Sequence, residues 1–569
     1  MLMLLATMAA QADVDINTTN FPDAKFRNYM LALYPDGHMT TDQVNELTEL
    51  DVQNKGILSM QGVELLTGLQ VLNCSNNIIV SLDLRTNTGL TSLSCSNNNL
   101  YALNVSSNNN LTYLDCGNNK LTELRMYGLS KLEKFYCNNN LFKSLNQLPT
   151  ASTSALQTID CSGNAELTSL VINNYRHLTT LIARNNTSLT GVNCASNALT
   201  SLDLTGCTAM SRLWCYFNYN LSGITGLGDC TALTMFVLND CAFTSLDLSP
   251  FTQLTFLNCC KNQLTTLDVS ALTSLQKFFC RDNSLKVLNV EGLSQLQELQ
   301  CNDNQLLSLY VQGCTSLTRL DCYNNSISVI SNLEDCTALT SIDCHNNRID
   351  DLSALSRMSD INTIIAGNNY LHSFSVSNKS TLYYLNLSGC PYLTEIWAYN
   401  NPVLNHLACE SCPSLTSLSC IKNDLSWLDV TGCDAINDIT CTHNKLSGDG
   451  MTALVNSLPQ RSATEPGSLY VIDRYNETNE ITDAQVLIAQ RKHWQPKKFN
   501  GYEWVTMTAP LPGDVDGDGD ITISDISELI DLVLSGNASI ATCPTADVDG
   551  DGQINIVDVS ELIDALLNN

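Results

Sequence analysis

The sequence predicts a strand-rich α+β chain, most of it a repeat solenoid. A helical cap precedes the repeats, an αβ cap follows them, and a small two-helix module ends the chain. Three observations carry this. Cys74, Cys95, Cys116 and Cys137 lie 21 residues apart, as do Cys259, Cys280, Cys301 and Cys322, and a fixed period of that length means stacked coils. Within each period apolar and polar residues alternate with period two, the mark of short extended runs. The last 56 residues, 514–569, leave the repeat and hold two Asp-rich loops, each opening an apolar-periodic helix. A chain of 569 residues exceeds one compact core, which a solenoid solves by adding coils.

Residues 1–12 form a short apolar run ending Ala10-Gln11-Ala12, the pattern of a secretory signal peptide cut after Ala12, although it lacks a positively charged start. Residues 13–66 read as the N-terminal cap. Phe21 to Leu31 is helix-periodic, and Thr41 to Leu47 is a second helix with Thr40 or Thr41 as its cap.

Residues 67–446 are the solenoid. The unit is Leu-x-x-Leu-x-Cys-x-x-Asn-x-Leu-x-x-Leu-Asp-Leu-Ser, as at Leu90, Leu93, Cys95, Asn98 and Leu100 and again at Leu317, Leu320, Cys322, Asn325 and Ile327. Leu and Cys point inward, the residues between them outward, and the Asn three after each Cys turns the chain and bonds exposed backbone. The second half, such as Leu202-Asp203-Leu204, alternates in the same way, which predicts short strands instead of helices on the far side. Twenty-five cysteines in an exported chain usually mean disulfides, but the even stacking predicts a ladder of reduced, buried thiols. This unit resembles the cysteine-ladder leucine-rich repeats of the internalin group, in which Cys replaces a leucine of the usual motif. The resemblance implies a horseshoe whose strands present a ligand face.

The period breaks twice. Inward positions fall at Cys161, Ile172, Ala183 and Cys194, eleven apart, and two extra halves stand at Val376 and Leu387 between Ala366 and Ala398. A bulged coil, a loop or a change of phase fits each place. Residues 447–508 read as the C-terminal cap, with helices at Met451–Leu458 and Asp483–Arg491 and strands at Leu469–Asp473 and Trp504–Met507. Residues 509–513, with Pro510 and Pro512, make a short stiff linker.

In the tail, Asp514, Asp516, Asp518, Asp520, Thr522 and Asp525 occupy positions 1, 3, 5, 7, 9 and 12 of one loop. Asp547, Asp549, Asp551, Gln553, Asn555 and Asp558 repeat them 33 residues later. Side-chain oxygens at 1, 3, 5, 9 and 12, a backbone carbonyl at 7 and Gly at 6 suit a hard cation, so two Ca²⁺ ions are expected. The pair of loop–helix halves resembles a dockerin, a module that plugs one exported protein into a cohesin on another. That resemblance implies partner contacts at Ile523, Ser524, Ile530 and Asp531 in the first half, and at Ile556, Val557, Ile563 and Asp564 in the second. Loop positions 10 and 11 are small hydroxyl residues in well-known dockerins. Here they are Ile523-Ser524 and Ile556-Val557, a departure that bears on which partner is taken.

The formal charge of −29 argues against nucleic-acid or anionic-membrane partners. The neighbours of each ladder position give a ligand face of Tyr136, Trp214, Tyr216, Phe279, Arg281, Asp321, Tyr323, Asp343, His345, Trp397 and Tyr399. Aromatic anchors of this kind suit a protein partner or a glycan. No phosphate loop, zinc-ligand spacing or nucleophile elbow occurs. Alternation aims Cys344 inward and His345 outward, against a nucleophile–base pair. The expectation is therefore a secreted, non-catalytic bacterial binding protein whose solenoid takes an extracellular protein or glycan and whose calcium-dependent tail attaches it to a cohesin-like or surface partner. The alternative is a component of a polysaccharide-degrading assembly, enzymatic or not. An enzymatic one needs a pair of carboxylates across a cleft.

Overall fold

The computed structural model describes residues 13–509, 511–536 and 543–567, so the expected signal peptide at 1–12 and Pro510 of the linker lie outside the described residues. The chain forms two compact units, Met1–Thr315 and Ser316–Asn569. Each contains stacked coils with parallel, mostly three-residue strands, so the strand-rich solenoid read from the alternation is what the chain adopts.

The first unit opens with helix α1 (Ala24–Leu33) and helix α2 (Thr41–Glu46). Thr40 caps α2 in a reciprocal box with Gln43. Asp23 caps α1 through the N–H groups of Lys25 and Phe26, and its second oxygen accepts the N–H groups of Leu58 and Ser59. Partial burial disfavours charge on Asp23, but these four donors outweigh it and hold the carboxyl below its ordinary value. Asp23→Ala should cost about 1–2 kcal/mol, read as a lower melting temperature. Because the folded-state value is depressed, that advantage is full above about pH 4 and is lost as pH falls through the folded value. One pairing goes beyond the sequence reading: Val14–Asp15 pairs antiparallel with His38–Met39.

Asparagine holds the coils together. Asn119 Nδ2 donates to the carbonyls of Cys95, Cys116 and Gly117, each at 3.1 Å, while its Oδ1 accepts the N–H of Leu100 at 3.0 Å. One amide thus serves its own coil and the one before it, and the same set recurs at Asn98 and Asn140. The residue before each ladder asparagine is left-handed, with φ of 55°, 53° and 53° at Asn97, Asn118 and Asn139. Asn is among the few residues that accept this conformation, which accounts for the repeated Asn-Asn pairs.

Two populations of cysteine line the interior. Ladder thiols end the strands. A second set stands where other coils place the ladder asparagine. There the S–H of Cys207 donates to the Ala183 carbonyl at 3.0 Å, Cys241 to Cys215 at 3.3 Å and Cys433 to Cys409 at 3.2 Å. All 25 thiols are free, 24 of them buried, and burial pushes the Cys74 thiol up to about 12. A thiol-specific disulfide reagent should therefore label one group in the native protein, the half-buried Cys543, and all 25 after denaturation.

Both breaks in period are changes of phase. An ordinary coil alternates ten- and eleven-residue halves, as in Cys95, Val105 and Cys116. From Cys161 to Cys194 three successive halves are all eleven long, with left-handed residues at Gly163, Asn174, Asn185 and Ser196. When alternation resumes, the cysteine–asparagine side has moved to the opposite sheet. Strands Tyr113–Asp115, Lys134–Tyr136 and Thr158–Asp160 continue into Thr180–Ile182 and Ser201–Asp203, while Ser169–Val171 begins the sheet of Gly191–Asn193 and Arg212–Trp214. The second unit repeats this. Thr363–Ile365 pairs with Tyr384–Asn386, whereas Ser373–Ser375 starts the sheet of Glu395–Trp397 and Ser417–Ser419.

That last sheet runs on through Asp438–Thr440 into the C-terminal cap. The cap holds helices α3 (Gly448–Ser457) and α4 (Asp483–Arg491) and strands Gly467–Ile472, Trp494–Phe499 and Trp504–Thr506. Trp494 is fully buried and lies against Gly467, where a Cβ would fall 2.5 Å from the indole. The tail follows with helices α5 (Ile523–Ser535) and α6 (Ile556–Leu567) packed on Leu529, Ala546, Val559 and Leu562. Among the described residues no helix is long and apolar enough to cross a membrane.

Candidate metal centre and outward strand faces

The two tail loops are built alike, position by position. Gly517, Gly519, Gly550 and Gly552 are left-handed, and a Cβ at each would meet open space. The backbone turn, not crowding, is what demands glycine there. Asp525 at position 12 is buried. Its Oδ1 accepts the N–H groups of Val515 and Asp516 and its Oδ2 that of Thr522. Asp558 accepts the matching donors of Val548, Asp549 and Asn555. Each carboxylate ties the start of its loop to the first turn of its helix.

At position 1, Asp514 Oδ2 accepts the Gly519 N–H at 3.0 Å and Asp547 Oδ2 that of Gly552 at 3.2 Å. Their other oxygens, Asp514 Oδ1 and Asp547 Oδ1, are buried without a hydrogen-bond partner. A buried carboxylate oxygen left unpaired is costly unless a cation meets it. Ligand oxygens of Asp514, Asp516 and Asp525 lie within 4.8 Å of one another, as do those of Asp547, Asp549 and Asp558. The donor set is all oxygen and anionic, so it fits a hard divalent cation.

The structure gathers only these three carboxylates per loop from the wider sets read in the sequence. Asp518 accepts the N–H of Asp520, and Asp551 that of Gln553. Thr522 and Asn555 use their side-chain oxygens on the N–H groups of Ser524 and Val557 at the helix starts. The side chains of Asp520 and Gln553 are exposed, in keeping with a role for their backbone carbonyls only.

On the tail surface Ile523 is 78% exposed and Ile556 66%, with Val557, Ser524, Asp531 and Asp564 also outside. Ile530 and Ile563 carry helix periodicity that reads as core, yet both are over one third exposed, and the buried positions are Leu529 and Leu562. Leu534 and Leu567 extend the exposed apolar surface beyond the residues read from sequence.

The eleven solenoid residues read as one ligand face do not share a sheet. In the first unit Tyr136 lies on the sheet that precedes the phase change, packed 5.7 Å from Tyr113. Trp214, Tyr216, Phe279 and Arg281 belong to the other sheet. In the second unit Asp321, Tyr323, Asp343 and His345 sit together. The Tyr323 and His345 rings stack at 4.7 Å, and His345 Nδ1 meets Asp343 at 2.6 Å. Trp397 and Tyr399 belong to the second sheet of that unit, with Trp397 Nε1 donating to Glu395. The single-face reading fails because each eleven-residue run moves the cysteine side across the coil. Cys344 is fully buried, away from the outward His345.

Sequence reasoning missed Arg212, Phe217, Tyr219 and Phe256. Reading the positions three before and two after each ladder residue, not only its immediate neighbours, finds all but Tyr219, which is four after Cys215.

Residues 109–150 and 315–357 match the family model for leucine rich repeats, and residues 512–567 match that for the dockerin type I domain. Internalin J of Listeria monocytogenes serotype 4b (strain F2365) is 40% identical over 72 residues, which are 12% of this chain and 8% of that protein. The chain thus matches less than a tenth of that relative's length. Among solved structures, the functional domain of InlJ from Listeria monocytogenes, described as including a cysteine ladder, is 23% identical, with coverage of 83% of this chain and 85% of that one and a TM-score of 0.27. YopM from Yersinia enterocolitica WA-314 is 23% identical over 72% of this chain and 90% of its own, with a TM-score of 0.33.

Proposed function

We propose that this chain, an internalin-like leucine-rich-repeat protein with a C-terminal dockerin type I domain, is an exported, non-catalytic binding protein held in place by its tail. The observation that carries the reading is the pair of matched loops. Each has a buried, unpaired oxygen at position 1, and together they lie within the segment that matches the dockerin family. Asp514, Asp516 and Asp525 would hold one Ca²⁺, and Asp547, Asp549 and Asp558 a second. Bound calcium neutralises the clustered carboxylates. The chain's own part is then to set the two helices at a fixed angle, through Asp525 and Asp558 bonding each loop to its helix. That presents Ile523, Ile530, Ile556, Val557 and Ile563 to a cohesin-type partner on a scaffold or surface. The solenoid, with many outward strand positions and a closed core, serves recognition of an extracellular protein.

The test is binding of the full chain to an immobilised panel of cohesins in calcium and in EDTA. The expected result is capture by at least one cohesin, weakened by at least about 100-fold when calcium is removed. Equal capture in both buffers, or none by any cohesin in calcium, contradicts the reading.

A further inference from the structure

We infer that the outward face of strands Arg212–Trp214, Met235–Val237, Phe256–Asn258 and Lys277–Phe279 in the first unit is a docking surface for an acidic polypeptide. The inference rests on the protein-binding reading above and specifies the partner's chemistry. The parallel register sets Trp214, Val237, Asn258 and Phe279 in one row and Arg212, Met235, Phe256 and Lys277 in the next. The central residues, Leu213, Phe236, Leu257 and Phe278, are buried, so both rows face out.

Phe217 is the sharpest feature. It occupies the left-handed position that Asn97, Asn118 and Asn139 fill in earlier coils, with φ 55°. A bulky side chain pays a steric penalty there that asparagine avoids. Burial does not repay it, because the ring is 39% exposed. The ring instead meets Tyr216 edge to face at 5.2 Å and lies 6.3 Å from Tyr219, and Phe256 meets Phe279 in the same manner at 5.4 Å. Edge-to-face rings make a ridged apolar surface, not the flat platform on which a sugar ring stacks. Trp, Tyr and Arg together are the composition of binding hot spots.

Charge selects the partner. Lys277 pairs with Glu298 at 3.3 Å and Lys261 with Asp240 at 3.9 Å. Arg212 and Arg281, both exposed, have no carboxylate partner among the described residues. In a chain of 57 acidic and 28 basic residues, two exposed guanidinium forks without a carboxylate partner, of which Arg281 also meets the Cys260 thiol, stand beside an aromatic ridge and complement carboxylates from outside.

The probe is an immobilised random copolymer of glutamate and tyrosine, with a lysine–tyrosine copolymer and a soluble neutral glucan alongside, each offered to the full chain. The expected result is binding to the glutamate copolymer alone. Arg212→Glu with Arg281→Glu abolishes it. Phe217→Asn weakens it about tenfold while raising the melting temperature, because the strain is relieved as the ring is lost. Absence of binding to the glutamate copolymer, unchanged binding by both variants, or displacement by the glucan overturns the inference. Cohesin capture in calcium is read on the same variants and should be unaffected, so failure of this face and failure of the tail reading are told apart.

Discussion

Chelation by EDTA should melt α5 and α6 while leaving the main thermal transition of the repeats in place. Calorimetry of the full chain should resolve two calcium sites. Three carboxylates per loop lie within 4.8 Å of one another, and Asp514 Oδ1 and Asp547 Oδ1 are buried without a donor. Like charges held this close oppose folding until a cation offsets them. The tail's own core is small, with Leu529, Ala546, Val559 and Leu562 buried and eight partly buried side chains, Val515, Ile521 and Ile554 among them, packed against these. A ligand present at about 1,000 times its dissociation constant adds about 4 kcal/mol of stability per site, comparable to all that a core of this size supplies. Asp514→Ala with Asp547→Ala should remove both calorimetric sites and leave the tail unfolded at any calcium concentration. A shared collapse of tail and repeats on chelation would contradict the separate roles given to them.

Asn119→Ala should destabilise the repeats by about 3–5 kcal/mol, far more than a surface asparagine. The substitution leaves the buried Leu100 N–H without its acceptor and takes one of two donors from the carbonyls of Cys95, Cys116 and Gly117, which keep those of Asn98, Asn140 and Asn97. Orphaning the Leu100 N–H costs about 1–3 kcal/mol, each of the three lost carbonyl bonds about 0.5–1.5 kcal/mol, and the cavity cannot be filled by Ala. Urea unfolding gives the magnitude. Amide exchange at Leu100 gives the location, because that N–H loses its acceptor and should exchange faster while amides several coils away do not. A loss below about 1 kcal/mol would mean that the ladder is held by apolar stacking and that the asparagines only shape the turns.

Much of this was legible because the repeat forces it. A 21-residue recurrence of Leu, Cys and Asn leaves one arrangement in which the leucines are buried, and of the two caps read at Thr40 or Thr41 the structure uses Thr40. The two tail loops were legible as matched acidic turns because Asp at positions 1, 3 and 5 with Gly at 6 recurs in both, and the structure builds them alike. The misses have physical causes. Strand Trp494–Phe499 contains Pro496, which lacks a ladder donor and argues against a strand, yet it pairs on both sides and only the Pro496 carbonyl is asked for a bond, from the Met507 N–H. The pairing of Val14–Asp15 with His38–Met39 is too short to show a period. The outward faces were misjoined because a run of eleven-residue halves moves the cysteine side to the other sheet without altering the local motif. Phe217 escaped notice because its position is structural in every other coil, and only the left-handed φ shows that a ring there is out of place.

Backbone amide exchange across residues 514–567 of the full chain, recorded in millimolar calcium and again after chelation, tests the central claim most directly. The account predicts protected amides in Ile523–Ser535 and Ile556–Leu567 only when calcium is present, with the repeat strands protected equally in both. Helices that stay protected without calcium, or stay open with it, would contradict it.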